Sequence, residues 1–169
     1  MASAYEFISP GAGFPGVSDT GTDCRQRLGL IADAFDPTYG VGKFMYVQGA
    51  AASTLAAGEV GILSNYSAGQ AYSANTASHG IMGIVPAALS ATNVYGWMQI
   101  EGVVDYAKFT NTTAAAGLPV YIGSTAGRLH VAESATGFQV EGAWISQYSA
   151  TSNSNSGIVQ LYYPHYNGR

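Results

Sequence analysis

The amino-acid sequence predicts an all-β protein, a small pseudo-symmetric β-barrel or sandwich preceded by an extended N-terminal arm. Three observations carry that expectation. From about Lys43 onward, short apolar runs rich in Val, Ile, Tyr and Trp are bounded by Gly, Asn, Ser and Thr clusters, the pattern of brief strands joined by turns. Only residues 50–57 and 87–92 lean toward helix in composition, and both stretches are short. Residues 1–40 differ from the rest: they hold Glu6, Asp19, Asp23, Arg25, Arg27, Asp33 and Asp36 together with Pro10, Pro15, Pro37 and many glycines, and show little strand or helix periodicity. Finally, strand-like segments recur along the chain.

In chain order, the arm (1–40) reads as a loop-rich lead-in that orders on contact, and 41–169 as the β core. Strands are expected at 43–49, 59–63, 81–86, 95–105, 118–122, 128–132, 138–146 and 157–163. The recurrence pairs "FMYVQG" (44–49) with "WMQIEG" (97–102), "AAGEVGIL" (56–63) with "AAGLPVYI" (115–122), and more loosely "HGIMGIV" (79–85) with "GFQVEGAWI" (137–145). Two readings stand: an internal duplication with halves 41–92 and 93–148, or a coincidence driven by Gly/Ala-rich composition. A duplication implies two three-strand units that bury their apolar faces against each other.

Charge is the compositional anomaly. Asp, Glu, Lys and Arg make up 9% of the 169 residues, against about 25% in ordinary soluble domains. No such residue occurs between Val60 and Ile100 or between Gly142 and Gly168. Both stretches are broken by Ser, Asn, Gln and Gly, so neither offers the roughly 20 consecutive apolar residues of a membrane helix, and no membrane partner is expected. The start "MASAYEFISPGAGFPG" lacks a basic region followed by an apolar run, so no secretory signal is expected. With a net charge of −4 and scattered basic residues, nucleic acid is a poor partner. The single cysteine, Cys24, excludes an intrachain disulfide framework. A surface this neutral belongs either to a chain docked in an assembly, the favoured reading, or to a monomer solvated by hydroxyls and amides.

Chemistry-bearing motifs are weak. "GAGFPG" (11–16) satisfies G-x-G-x-x-G, but no strand precedes it and Pro15 spoils a helix after it, so it reads as a glycine-rich arm. "DAFD" (33–36) and "DTGTD" (19–23) lack the alternating oxygen ligands of a calcium loop. "DTG" occurs once, whereas aspartic proteases need two such loops. His79, His130 and His165 stand alone, with no metal-ligand spacing. Glu101 and Asp105 would project from one strand face roughly 13 Å apart, wider than the roughly 5–10 Å of glycosidase carboxylates. The sequons at Asn65 and Asn111 read as turn residues. No catalytic residue, metal or cofactor is expected.

The strand "YGWMQIEGVVDYAKF" (95–109) carries a further signal. Alternation puts Met98, Ile100 and Val104 on one face and Trp97, Gln99 and Glu101 on the other, so the large aromatic sits with polar groups. The matching strand does the same, with Phe44, Tyr46 and Gln48 opposite Met45 and Val47. A mixed aromatic and amide row is covered either by a loop of the same chain or by another subunit, since aromatics are enriched in interfaces.

The succession "YGVGKFMYVQGAAASTLAAGEVGIL", "HGIMGIVPAALSATNVYGWMQIEGVVDY", "AAGLPVYIGSTAGRLHV", "FQVEGAWISQYS" and "GIVQLYYP" resembles the head decoration, or capsid cement, proteins of tailed bacteriophages, over about residues 39–164. The shared features are a glycine-rich β core, the "YGW-x-Q-x-x-G" strand, and the "AAG" and "TAG" turns. Two departures are the length of the arm and Pro86 in "IVPAAL", which places an edge or bulge in a strand. The resemblance implies a non-enzymatic virion protein, made in the host cytoplasm and carried on the outer capsid surface. It would clamp neighbouring major capsid protein subunits of an expanded head, as a homotrimer whose second and third contacts are effectively intramolecular. The arm residues Tyr5, Phe7, Phe14 and Arg25 would then lie on the capsid or a neighbouring copy, and Phe44, Tyr46 and Trp97 would be subunit contacts. A receptor- or glycan-binding virion module and, less favoured, a small glycan-active enzyme are the alternatives.

Overall fold

The structure, a computed structural model, describes residues 5–8, 15–51, 53–71, 80–90, 93–110, 116–123, 125–131, 138–147 and 156–166. It is all-β, with no helix among these residues. The strands are β1 (Glu6–Phe7), β2 (Ile31–Asp36), β3 (Gly40–Gly49), β4 (Val60–Ser64), β5 (Ser67–Gln70), β6 (Gly80–Ile84), β7 (Tyr95–Lys108), β8 (Pro119–Ile122), β9 (Leu129–His130), β10 (Phe138–Gln147) and β11 (Ser156–Tyr166). Six of them close a barrel in the order β3, β5, β4, β6, β11, β7 and back to β3. The other strands extend the sheet outside this ring: β2 and β1 beyond β3, and β10, β8 and β9 beyond β11.

The closing seam is the antiparallel pair β3–β7, where the two recurring strands meet. Met45 lies opposite Met98, Phe44 opposite Gln99, and Tyr46 opposite Trp97. Since residue 44 matches 97 and 46 matches 99 in the recurrence, this register is symmetric about the Met45–Met98 pair. The matched turns correspond as well. Gly58 and Gly117 both adopt φ +83, a conformation that favours glycine. Gly58 N–H donates to Val85 O at 2.8 Å and Val85 N–H to Glu59 O at 3.2 Å; Gly117 N–H donates to Ile145 O at 2.7 Å and Ile145 N–H to Leu118 O at 2.8 Å.

Two clusters fill the interior. Met45, Val47, Leu55, Leu89, Met98 and Ile100 form one, so the Met and aliphatic face of the seam does turn inward. Val104, Phe109, Val120, Ile145, Val159 and Leu161 belong to the other, between β7, β11 and the outer strands β8 and β10. Burying each such side chain contributes about 1.5–3 kcal/mol.

Within the first 40 residues, two described segments form strands that the composition did not signal. β2 pairs with β3 through six residues, from Ile31 opposite Met45 to Asp36 opposite Gly40, and β1 pairs with β2. The sequence "IADAFD" conceals a strand because its inward row is small: Ala34 is buried beside Gly42, while Ile31 and Phe35 face outward. Asp36 is buried because its carboxylate accepts the N–H groups of Thr38 and Tyr39, at 2.7 and 3.0 Å, and so ends the strand in a turn. β5, "SAGQ", was hidden by its lack of large apolar residues. Its hairpin with β4 turns on Asn65 and Tyr66 at φ 49 and 62, the geometry of a two-residue type I′ turn. Pro86 lies beyond the end of β6 at Ile84, so the expected edge or bulge within the strand is replaced by a strand end.

Candidate functional site

Phe44 and Tyr46 on β3 and Trp97 on β7 form one aromatic row on the outer face of the seam, as alternation requires. Tyr46 and Trp97 meet edge to face with centroids 5.1 Å apart, and Tyr95 stacks beside Tyr46 at 6.4 Å. The N-terminal segment covers this row. Tyr5 lies edge-on to Phe44 at 5.3 Å, Phe7 lies 4.7 Å from Trp97, and Val17, Leu28 and Leu30 belong to the same cluster. Trp97 is consequently 1% exposed, and Phe44 and Tyr46 are equally buried.

Most of the expected contact residues lie inside the chain. Phe44, Tyr46, Trp97 and Tyr5 are buried within the chain and Phe7 is half-buried, because the aromatic row is a core shared by the barrel and its own N-terminal segment. Arg25 is exposed, and its backbone N–H donates to the Tyr46 hydroxyl at 3.3 Å. Phe14 lies outside the described residues.

Beneath Tyr5 sits a polar network. Gln99, fully buried, donates from Nε2 to the carbonyls of Val103 and Glu101 at 3.1 and 3.2 Å, and accepts the Tyr106 hydroxyl at 2.8 Å. The Tyr5 hydroxyl donates to the Val103 carbonyl at 2.9 Å. A register shift in β7 between Gln99 and Glu101 bends the strand here, and Gly102 at φ +97 lets it pass against Gly42; a Cβ on Gly102 would stand 2.8 Å from the Gly42 Cα. Burial pushes the Tyr5 hydroxyl up to about 12, with the carboxylates of Asp36 and Asp105 acting in the same direction. Burial raises Tyr106 well above the ordinary tyrosine value and raises Asp105 above the usual carboxylate range. Desolvation favours the neutral form of each, and the two tyrosine hydroxyls spend their hydrogen bonds on the Val103 carbonyl and the Gln99 side chain.

Two exposed patches were not singled out by sequence reasoning. On the outward side of β1–β3, Phe35 (48% exposed) stands opposite Val41 (52%), with Ile8 also exposed, and an open groove of about 740 Å³ runs along Glu6, Phe7, Ile8, Phe35 and Pro37. On β10 and β11, Trp144 (41%) pairs with Gln160, one step diagonal from Tyr162 (64%), which contacts Tyr163 edge to face at 5.8 Å. Tyr163 adopts φ 46 where β11 carries extra residues against Gly142 of β10. Pro164 was the available signal, since proline within a strand marks an edge or bulge. An ion pair of Lys43 with Asp33 at 3.1 Å sits between the patches, its hydrogen bond holding the Lys43 ammonium above its usual range.

Among the described residues no group of three or more His, Cys, Asp or Glu side chains is placed to hold a metal ion, and no helix is long and apolar enough to cross a membrane. His130 on β9 packs against Gly123, where burial lowers its pKa. His165 pairs with Glu141 at 3.0 Å across β11 and β10. Comparison with protein-family models finds no match, and comparison with curated proteins finds none either.

Proposed function

We propose that the protein is a structural, non-enzymatic component of a phage virion that decorates the outside of an expanded icosahedral head as a homotrimer and clamps neighbouring major capsid protein subunits. One observation carries the reading beyond the family resemblance: large apolar side chains stand exposed on a closed barrel whose charged residues make up only 9% of the chain. Exposed apolar patches mark contact surfaces, and the groove-lined patch of Ile8, Phe35 and Val41 replaces the buried aromatic row as the capsid-facing candidate. No cofactor takes part. Purified protein mixed with undecorated expanded heads and with immature heads provides the test. Regular occupancy of three-fold positions on expanded heads alone is expected; absence of binding to both rejects the proposal.

The aromatic pair Trp144 and Tyr162, flanked by Gln160, favours a second reading as a glycan- or receptor-binding virion module, because exposed rings beside amides suit stacking on sugars. Binding to immobilised glycans without binding to heads would decide for it.

A further inference from the structure

The β1 segment is held as a separate peptide would be. Residues 5–8, Tyr-Glu-Phe-Ile, run along the outer edge of β2, with Glu6 opposite Phe35, Phe7 opposite Ala34, and Ile8 N–H donating to Asp33 O at 3.0 Å. The side chains alternate: Tyr5 and Phe7 enter the cleft over Phe44 and Trp97, while Glu6 and Ile8 face solvent. This is the geometry of strand addition, in which main-chain bonds supply affinity and pockets for alternate side chains supply specificity.

The cleft is built by other parts of the chain. Gly42 leaves room for the Tyr5 ring, since a Cβ there would stand 3.0 Å from Tyr5 Cε1, and the Val103 carbonyl receives the Tyr5 hydroxyl. Val17, Leu30 and Ala32 pack on the same aromatic cluster, so the walls of the cleft are supplied by residues outside 5–8.

We propose that this cleft is an acceptor for an aromatic-x-aromatic strand, and that its occupant in an oligomer is the β1 segment of a second copy of this chain. Two observations favour exchange between copies. The sequence joining Ile8 to Val17, "SPGAGFPG", has three glycines, two prolines and no charge, which is the composition of a linker. The whole chain carries a net charge of only −4, so little repulsion separates copies. A donated strand makes the same contacts in either cleft, so exchange costs no native interaction and is governed by concentration and linker reach. The proposal stands apart from the head-decoration reading.

The test uses full-length chains. A Tyr5→Ala/Phe7→Ala chain, whose own strand binds its cleft poorly, is mixed with wild type, and the species are counted by native mass spectrometry. Mixed wild-type/variant oligomers are expected to exceed variant-only oligomers by about tenfold or more, a difference of about 1.4 kcal/mol. A synthetic peptide of residues 1–8 should raise the melting temperature of the variant and suppress the mixed species; the same peptide with Ala at positions 5 and 7 should do neither. Should the double variant not fold, Phe7→Ala alone serves as acceptor. Equal abundance of mixed and variant-only oligomers overturns exchange between copies, and a peptide that fails to bind overturns the acceptor cleft itself. Neither measurement involves heads.

Discussion

The two tryptophans of the chain occupy opposite conditions. Trp97 and Trp144 both lie on the outward side of long strands, yet one is 1% exposed and the other 41%. What differs is the cover. The N-terminal segment lays Phe7 on Trp97, whereas the described residues place nothing comparable over Trp144. An outward-facing aromatic is thus core or contact surface according to which part of the chain returns to it, and strand alternation does not encode that return.

The comparison can be broken by substitution. Trp97→Ala should destabilise the protein by about 3–5 kcal/mol, the usual range for truncating a buried large aromatic, as measured by urea unfolding. A cost near that of an exposed site would mean the arm does not hold the row. Gly102→Ala comes next, at roughly 2–3 kcal/mol, because it combines φ +97 with a Cβ that meets Gly42 and the Val41 carbonyl. Gln99→Leu should cost about 1–3 kcal/mol, because it removes the acceptor of the Tyr106 hydroxyl and two bonds to strand carbonyls.

Alkaline titration sharpens the same contrast. The Tyr5 hydroxyl is pushed up to about 12 by burial from an ordinary value of 10.0. At pH 10–12 the native state therefore holds a proton that the unfolded chain has released, and stability falls with rising pH across that window. Tyr5→Phe should flatten part of this fall in unfolding experiments; Tyr106, also raised, sustains the remainder. The smallest stability effect belongs to Trp144→Ala, within about 0.5 kcal/mol as for other surface changes. That variant should nonetheless lose glycan binding if the second functional reading holds, and keep head binding if the first does.

The β core was legible because its signals are local. All eight expected strands coincide with observed ones to within a few residues, and the inward Met45, Val47, Met98 and Ile100 follow from alternation alone. β1, β2 and β5 were not legible. β2 buries alanines and exposes Ile31 and Phe35, the reverse of what apolar residues ordinarily signal, because its inner face meets a row of large rings that leaves no room for more bulk. The row of Phe44, Tyr46 and Trp97 was recognisable as a pattern. Its cover was not, since the contact of Tyr5 with the Val103 carbonyl spans 98 positions of sequence. Phe35, Val41, Tyr162 and Tyr163 passed unnoticed because an aromatic or branched residue in a strand looks the same from sequence whether it faces the core or solvent.

The seam at Met45–Met98 also imposes an order of events. Tyr5 rests on Phe44 from β3 and on Val103 from β7, and these strands meet only when the barrel closes. Long-range pairings of this kind form late, after the entropy of closing the intervening loop has been met. The β1 segment can pair with β2 early, but its place is complete only when the strand carrying Val103, 98 positions further on, has joined the sheet. Until then its aromatic side chains and the row they will cover are both open to water, and to the nascent chains alongside.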